Sequence, residues 1–286
     1  MAPDPYQLIA CTGGVLFVAA YSFLVLPLYS ARLSIALGTA YFLNFALTVF
    51  FWLRATLTDP TDSVILAERK ALALSQHFDS RLYKEICTIC TAHVNEESKH
   101  CGKCNRCVEG FDHHCKWLNN CIGLRNYRFF ALLITVFAFQ LLQQTISSLI
   151  LLCSLITGST SSSLSHFYSL EGSEAVLFEA ILGLFTCLTL ICLLFLTQLI
   201  LLHVWLRCKG LTTYEYIMSK RQRKYYSPRL RKLQPELKAE EPGTQDRTEL
   251  PEAFKAKMFE KLKGRQRGWS EDRSRRGDED SLAALA

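Results

Sequence analysis

The sequence predicts an all-α polytopic membrane protein, with four transmembrane helices and a Cys/His-rich domain between the second and the third. Three observations predict it: four long apolar runs almost free of charge, a dense Cys/His cluster in the polar stretch that divides them into pairs, and a lopsided distribution of Lys and Arg. Half of the 286 residues are hydrophobic, but they are not spread evenly. The runs cover about Leu8–Tyr29, Leu33–Leu53, Phe129–Thr157 and Val176–Leu206. Each approaches or exceeds the roughly 20 residues a helix needs to cross a hydrocarbon core of about 30 Å. Glu179 is the one charge inside them, and it reaches the interface if the fourth span begins a few residues later. The first run is too long, and its flanks too poor in bases, for a cleaved signal peptide.

Charge orients the spans. The connection between the first two holds one base, Arg32, and residues 158–175 hold none. Residues 54–128 and the tail from Arg207 hold nearly all the others, so the positive-inside rule puts both segments and both termini in the cytosol. Cytosolic thiols stay reduced and serve metals or catalysis. The expected organisation is 1–53 for the first two spans, 54–128 for the Cys/His domain, 129–206 for the last two spans and 207–286 for a cytosolic tail.

Seven cysteines fall between Cys87 and Cys121, with His100, His113 and His114 among them. The run reads Cys87-x2-Cys90, then His100-Cys101-x2-Cys104-x2-Cys107, then Asp112-His113-His114-Cys115, then Cys121. Closed structural zinc sites take four Cys or His ligands in short paired spacings. Two such sites leave one Cys and one His over, next to a carboxylate, which are the parts that nucleophilic catalysis needs.

The stretch from Cys87 through Cys121 and on to Asn126-x3-Phe130 resembles the cysteine-rich domain of the DHHC protein S-acyltransferases. Thr212-Thr213-Tyr214-Glu215, just after the fourth span, resembles that family's TTxE motif, and the order of the spans agrees. Lys116, where most members carry Pro, resembles the subgroup of the one-type and eleven-type proteins. The sequence departs from the family between the second cysteine and the His-Cys pair, where His93-Val94-Asn95-Glu96-Glu97-Ser98 replaces a basic stretch. Downstream of TTxE the family's aromatic-plus-Asn element has no counterpart; Tyr225 and Tyr226 are not assigned that role.

The resemblance implies the site. One zinc would be held by Cys87, Cys90, His100 and Cys107, the second by Cys101, Cys104, His114 and Cys121; spacing alone admits other partitions. Both would be closed and structural, folding a segment with little core of its own. Cys115 would be the nucleophile, His113 its general base and Asp112 the group that orients the imidazole, by the logic of a triad. Fatty acyl-CoA, with palmitoyl-CoA the expected donor, would acylate Cys115, and a cysteine of a membrane-associated client would then take the chain. Burying each methylene among the spans is worth about 0.8 kcal/mol. Trp117 is expected close to the thioester, while Thr212, Thr213 and Glu215 are given a structural role.

The other residues carry simpler readings. Asn119, Asn120 and Asn126 read as turn and capping residues. Cys208, at the membrane boundary, is a candidate acylation site. His203 reads as a partnered interface residue, and His77 and His93 as solvated. The bases of residues 220–232 read as binding anionic lipid. Residues 234–251 read as a linker, and Phe254, Met258, Phe259 and Leu262 as one face of a basic amphipathic helix on the membrane, with a solvated charged helix as the alternative. No nucleic-acid recognition fold accompanies the bases. The alternative to an enzyme is a membrane scaffold that recruits partners through its zinc domain; the intact Asp112, His113 and Cys115 favour the enzyme. The compartment expected is endoplasmic reticulum or Golgi, with endosome as the alternative.

Overall fold

The structure, a computed structural model, describes residues 4–157, 172–222 and 224–225. Residues 1–222 form one unit, and 223–286 form a second. The linker and amphipathic helix expected in the tail lie outside the described residues, as does most of its basic run.

Among the described residues, four helices are long and apolar enough to cross a membrane. Helix α1, Pro5–Ala20, starts on the side chain of Asp4, which accepts from Tyr6 N at 2.9 Å, with Pro5 at the first helical position, where its missing N–H costs nothing. It runs on through a π turn, Tyr21–Val25, and a 3-10 turn, Leu26–Leu28, that holds Pro27. Helix α2 spans Ala31–Leu57, α4 Tyr127–Ile156 and α5 Ser173–Cys208; a short α3, Ser63–Ala73, precedes the Cys/His domain. At 1.5 Å per residue α5 is about 54 Å long, more than a hydrocarbon core, so Glu179 in its second turn falls near an end.

The spans meet through polar side chains as well as apolar ones. Asn44 Nδ2 donates to Val136 O at 3.1 Å, Gln143 Nε2 to Leu37 O at 2.8 Å, and Gln144 Nε2 to the Tyr41 hydroxyl at 2.7 Å. Lipid offers such groups no partner, so each pair ties its two helices, by roughly 0.6–2 kcal/mol.

To the helical class the structure adds three two-stranded antiparallel hairpins: β1 Glu85–Cys87 with β2 Ala92–Val94, β3 Lys99–Cys101 with β4 Arg106–Val108, and β5 His113–Cys115 with β6 Asn120–Ile122. Each turns through a residue of positive φ: Thr91 at 49°, Asn105 at 47° and Asn119 at 49°. Asparagine tolerates that left-handed conformation better than β-branched threonine does.

Two buried asparagines dock the third hairpin on the spans. Asn120 Nδ2 lies within 3.0–3.2 Å of the carbonyls of Ala55, Thr56 and Thr58, the acceptors left over where α2 ends. Asn126 Nδ2 donates to Ala55 O at 3.2 Å and Cys121 O at 2.8 Å, and its Oδ1 accepts from Gly123 N at 3.0 Å. The expected capping roles of Asn120 and Asn126 thus fall on a neighbouring helix, across more than 60 residues of chain.

Candidate active site and metal centres

The three hairpins are one unit repeated. Cys87, Cys101 and Cys115 stand 14 residues apart (101 − 87 and 115 − 101), each ending the first strand of its hairpin. They pair with Ala92, Arg106 and Asn120 in the same register. Three residues on from each come Cys90, Cys104 and Leu118. Across the strands His100 faces Cys107, and His114 faces Cys121. A turn therefore offers two thiols and the next strand pair offers an imidazole and a thiol.

The structure brings the donors together in this interleaved way. Cys87, Cys90, His100 and Cys107 form one cluster and Cys101, Cys104, His114 and Cys121 another, with all donor atoms of a cluster within 4.8 Å of one another. In the first, His100 Nδ1 lies 3.8, 3.3 and 3.7 Å from the sulfurs of Cys87, Cys90 and Cys107. In the second, His114 Nδ1 lies 3.3 Å from Cys104 and 3.7 Å from Cys121, whose sulfurs are 3.3 Å apart. Zn–S and Zn–N bonds at tetrahedral angles require edges of about 3.6 Å for S to N and about 3.8 Å for S to S. The donor sets fit zinc, and the sulfurs are too far apart for disulfides. The hydrogen bond from Cys121 pulls the Cys101 thiol down, and the same bond pushes Cys121 up.

Cys115 and His113 stand outside both clusters. Asp112, only 3% exposed, accepts from His113 Nδ1 at 2.7 Å through Oδ2 and from the backbone N–H of Thr213 at 2.9 Å through Oδ1. Burial works to raise the Asp112 pKa, but these hydrogen bonds hold it below the usual carboxylate range. For His113 burial works to lower the pKa; the Asp112 and Cys115 side chains outweigh it and push it up to about 9. Cys115 itself is buried, packed with Leu118 and Ile122 against Ala55 of α2 and Phe130 and Ile134 of α4, with Leu196, Leu199 and Ile200 of α5 alongside. The thiol thus sits where three spans meet, on an apolar surface.

The segment after α5 reaches back to this site. Thr212 and Glu215 cap each other: Thr212 N and Oγ1 donate to Glu215 Oε2 at 2.8 and 3.0 Å, and Glu215 N donates to Thr212 Oγ1 at 3.2 Å. That capping box starts the helical segment 213–222, and it aims the free Thr213 N–H at Asp112. The Tyr214 ring meets Phe111 edge-on at 5.7 Å.

Residues 81–220, just under half the chain, match the family model described as DHHC palmitoyltransferase. The chain carries a DHHC palmitoyltransferase domain. Among relatives, the chain is 34% identical over 136 residues to "Probable protein S-acyltransferase 20" of Arabidopsis thaliana, which is 47% of this chain and 19% of that protein. It is 36% identical over 105 residues to "Palmitoyltransferase AKR1" of Mortierella alpina, covering 35% of this chain and 19% of the relative. Over a shorter stretch, 44 residues, it is 57% identical to "Palmitoyltransferase ZDHHC8" of Drosophila melanogaster, or 15% of this chain and 5% of that one. The match thus spans about a fifth of the length of the first two relatives.

Around the DHHC domain the remaining expected residues fall as follows. Trp117 is half exposed on the turn that carries Cys115, its ring edge-on to Tyr6 at 5.5 Å; Lys116 lies over the same Tyr6 ring at 4.7 Å. Cys208 is exposed at the last position of α5. His203 is buried, bonded to the Tyr127 hydroxyl at 3.1 Å, with its ring 6.0 Å from that of His113. His77 is exposed.

His93 is a correction. It is not solvated: its Nδ1 pairs with Glu68 Oε1 at 2.9 Å, and its backbone N–H donates to Glu68 Oε2 at 2.7 Å. The reason is that α3 packs on β2 and presents a carboxylate to both groups. Two aspartates went unnoticed in the sequence. Asp62, fully buried, caps α3 by accepting from Val64 N and Ile65 N, and also binds Asn95 N and the Ser98 hydroxyl. Asp59 accepts from Arg106 at 2.7 Å. Residues 93–98, acidic where the family is basic, are therefore held by carboxylates of residues 62 and 68. An N-cap aspartate before an apolar run was the available signal for Asp62.

Proposed function

We propose that the chain is a protein S-acyltransferase that moves a fatty acyl group, palmitoyl above all, from acyl-CoA to Cys115 and then to a cysteine of a membrane-associated protein. The observation that carries the reading is a thiol, imidazole and carboxylate aligned outside two closed metal clusters, at the head of an apolar surface between spans. His113 Nδ1 is bonded to Asp112, which leaves Nε2 for the Cys115 proton. Cys115 Sγ then bonds the thioester carbon, the bond from that carbon to the CoA sulfur breaks, and the proton held by His113 goes to the departing sulfur. A client thiol repeats the exchange in reverse. One thioester replaces another at each step, so no external energy source is needed.

The zinc ions would be held by the two four-residue clusters, and with every position taken by a protein donor they supply structure. The Cys/His domain and both termini face the cytosol by the distribution of Lys and Arg. The domain boundaries follow, at about 1–53, 54–128, 129–206 and 207–286. The basic tail meets anionic lipid, and the membrane is that of the endoplasmic reticulum or Golgi.

The test is transfer of label from a fluorescent palmitoyl-CoA analogue to the detergent-purified protein, wild type beside Cys115→Ser, with zinc measured in both. The expected result is hydroxylamine-labile label on the wild type alone and about two zincs per chain in each. No label on a zinc-loaded wild type would sink the enzyme and leave the scaffold. Equal label on both proteins would move the acyl site elsewhere, with Cys208 first to be examined.

A further inference from the structure

In the first two turns, backbone amides attend the first cysteine. Cys90 N donates to Cys87 Sγ at 3.4 Å, and the N–H of Ile89 points to the same sulfur. The N–H groups of Lys103 and Cys104 do the same for Cys101. These are the second and third residues after the cysteine. The third turn has the same length, the same strand register and the same left-handed residue before its second strand. Its corresponding residues are Trp117 and Leu118. Among the described residues neither of their N–H groups has a hydrogen-bond partner, although Leu118 is only 2% exposed. In place of a metal-bound thiolate, the cysteine of this turn is the nucleophile.

We propose that the backbone N–H groups of Trp117 and Leu118 form an oxyanion site for the reacting thioester. This rests on the acyl-transfer reading above. When Cys115 Sγ adds to the thioester carbon, the carbonyl electron pair moves onto oxygen, and that oxygen is tied through one carbon to the sulfur of the cysteine two and three residues before these amides. The negative charge then meets two donors fixed in place by the turn, in a setting made dry by Leu118, Ile122 and Phe130. As the CoA sulfur leaves with its bonding pair, the carbonyl re-forms and the donors are released. Leu118 supplies an apolar side chain where the other two turns carry a ligand, so the amides serve substrate rather than a metal.

The experiment replaces the amide by an ester at single positions of the full-length, zinc-loaded protein, using α-hydroxy acids introduced by nonsense suppression at 117, at 118 and, as a control, at 116. The counterparts of Lys116 in the other turns, Thr88 and Gly102, are not among the donors. Two rates are read: single-turnover acylation of Cys115 by palmitoyl-CoA, and its alkylation by iodoacetamide, which develops no oxyanion. Removing one such donor is expected to slow acylation about 10²-fold. Alkylation, zinc content and the control should change less than about 3-fold on that scale. Acylation unchanged at both positions would overturn the proposal. So would acylation and alkylation falling together, which is what a merely structural role gives. If the ester at 118 costs zinc, the exposed position 117 decides. A zinc-loaded wild type that takes no acyl group at all overturns the enzyme reading and this one with it.

Discussion

Thr213→Pro isolates the link between the segment after α5 and the site. Thr213 is the first residue of the helical segment 213–222, since Tyr216 N bonds Thr212 O at 3.0 Å and Thr212 is the cap. Proline is at home in that position, and an N-cap residue ordinarily takes the extended backbone that proline imposes on its predecessor. What the substitution removes is the N–H that Asp112 Oδ1 accepts at 2.9 Å. A hydrogen bond to a buried charge is worth about 1.5–3 kcal/mol. Were all of it lost from the positioned state, at 1.36 kcal/mol per decade, acylation would slow by about 10- to 150-fold. Thr213→Ala is the matched control. It keeps the N–H and deletes Oγ1, which lies beside the Asp112 carboxylate without a well-formed hydrogen bond and is buried unpaired. The assay is the single-turnover rate of Cys115 labelling at equal zinc content. A proline variant as fast as wild type, or an alanine variant as slow as the proline one, would refute the idea that the backbone of Thr213 holds Asp112 in place.

Asn126→Ala should cost roughly 2–4 kcal/mol, because it strands the Gly123 N–H and carbonyls of Ala55 and Cys121 in a fully buried place; a lowered midpoint of thermal aggregation in detergent is the readout. Gly123→Ala should reduce folded yield sharply, since a Cβ there would meet Val108 Cγ1 at 2.4 Å and Glu109 O at 2.7 Å, whereas Gly102→Ala, with nothing within 4 Å, should be silent. Cys104→Ser should lower zinc by one per chain and abolish labelling, because its cluster includes His114, the residue before Cys115. Acid should mimic it: ligand thiolates and imidazoles take up protons as pH falls, so zinc, measured by a chromophoric chelator, is released together with activity.

Much of this was legible in the sequence for reasons that can be named. Lipid forces long uninterrupted apolar runs, so the spans stood out to within a few residues, as Phe129–Thr157 against Tyr127–Ile156 shows for α4. Metal ligands need fixed residue types at short spacings, so the donors were visible, although their partition came from resemblance. The contacts made across the chain were not visible. Asn120 and Asn126 looked like turn residues, yet they bind carbonyls at the end of α2, and no local pattern marks that. His93 looked solvated because its partner, Glu68, lies 25 positions away on a helix of its own. Thr213 was given only a structural role and its neighbour Thr212 caps the helix; only the fold brings the Thr213 N–H to Asp112.

The 14-residue repeat supplies the reason a thiol is left free. Each cluster joins the turn of one hairpin to the strands of the next, so three hairpins hold two clusters and leave one turn and one strand pair unmatched. At the front, the strands hold Ile86 and His93 where later units hold their second pair of ligands, and the turn that would complete them, at 73 and 76, offers Ala73 and Gln76. Glu68 takes His93 instead. At the back, the turn holds Cys115, and the strands that would complete it, at 128 and 135, are Arg128 and Thr135 of helix α4. Cys115, the proposed nucleophile, thus holds the place of a first metal ligand, and the positions that would complete its site belong to a helix long and apolar enough to cross a membrane. That span gives Cys115 Phe130 and Ile134 in place of an imidazole and a thiol. On the proposed reading, the strand register of the metal-binding turns is kept, no second pair of ligands is supplied to Cys115, and the apolar surface that an acyl chain would need begins beside it.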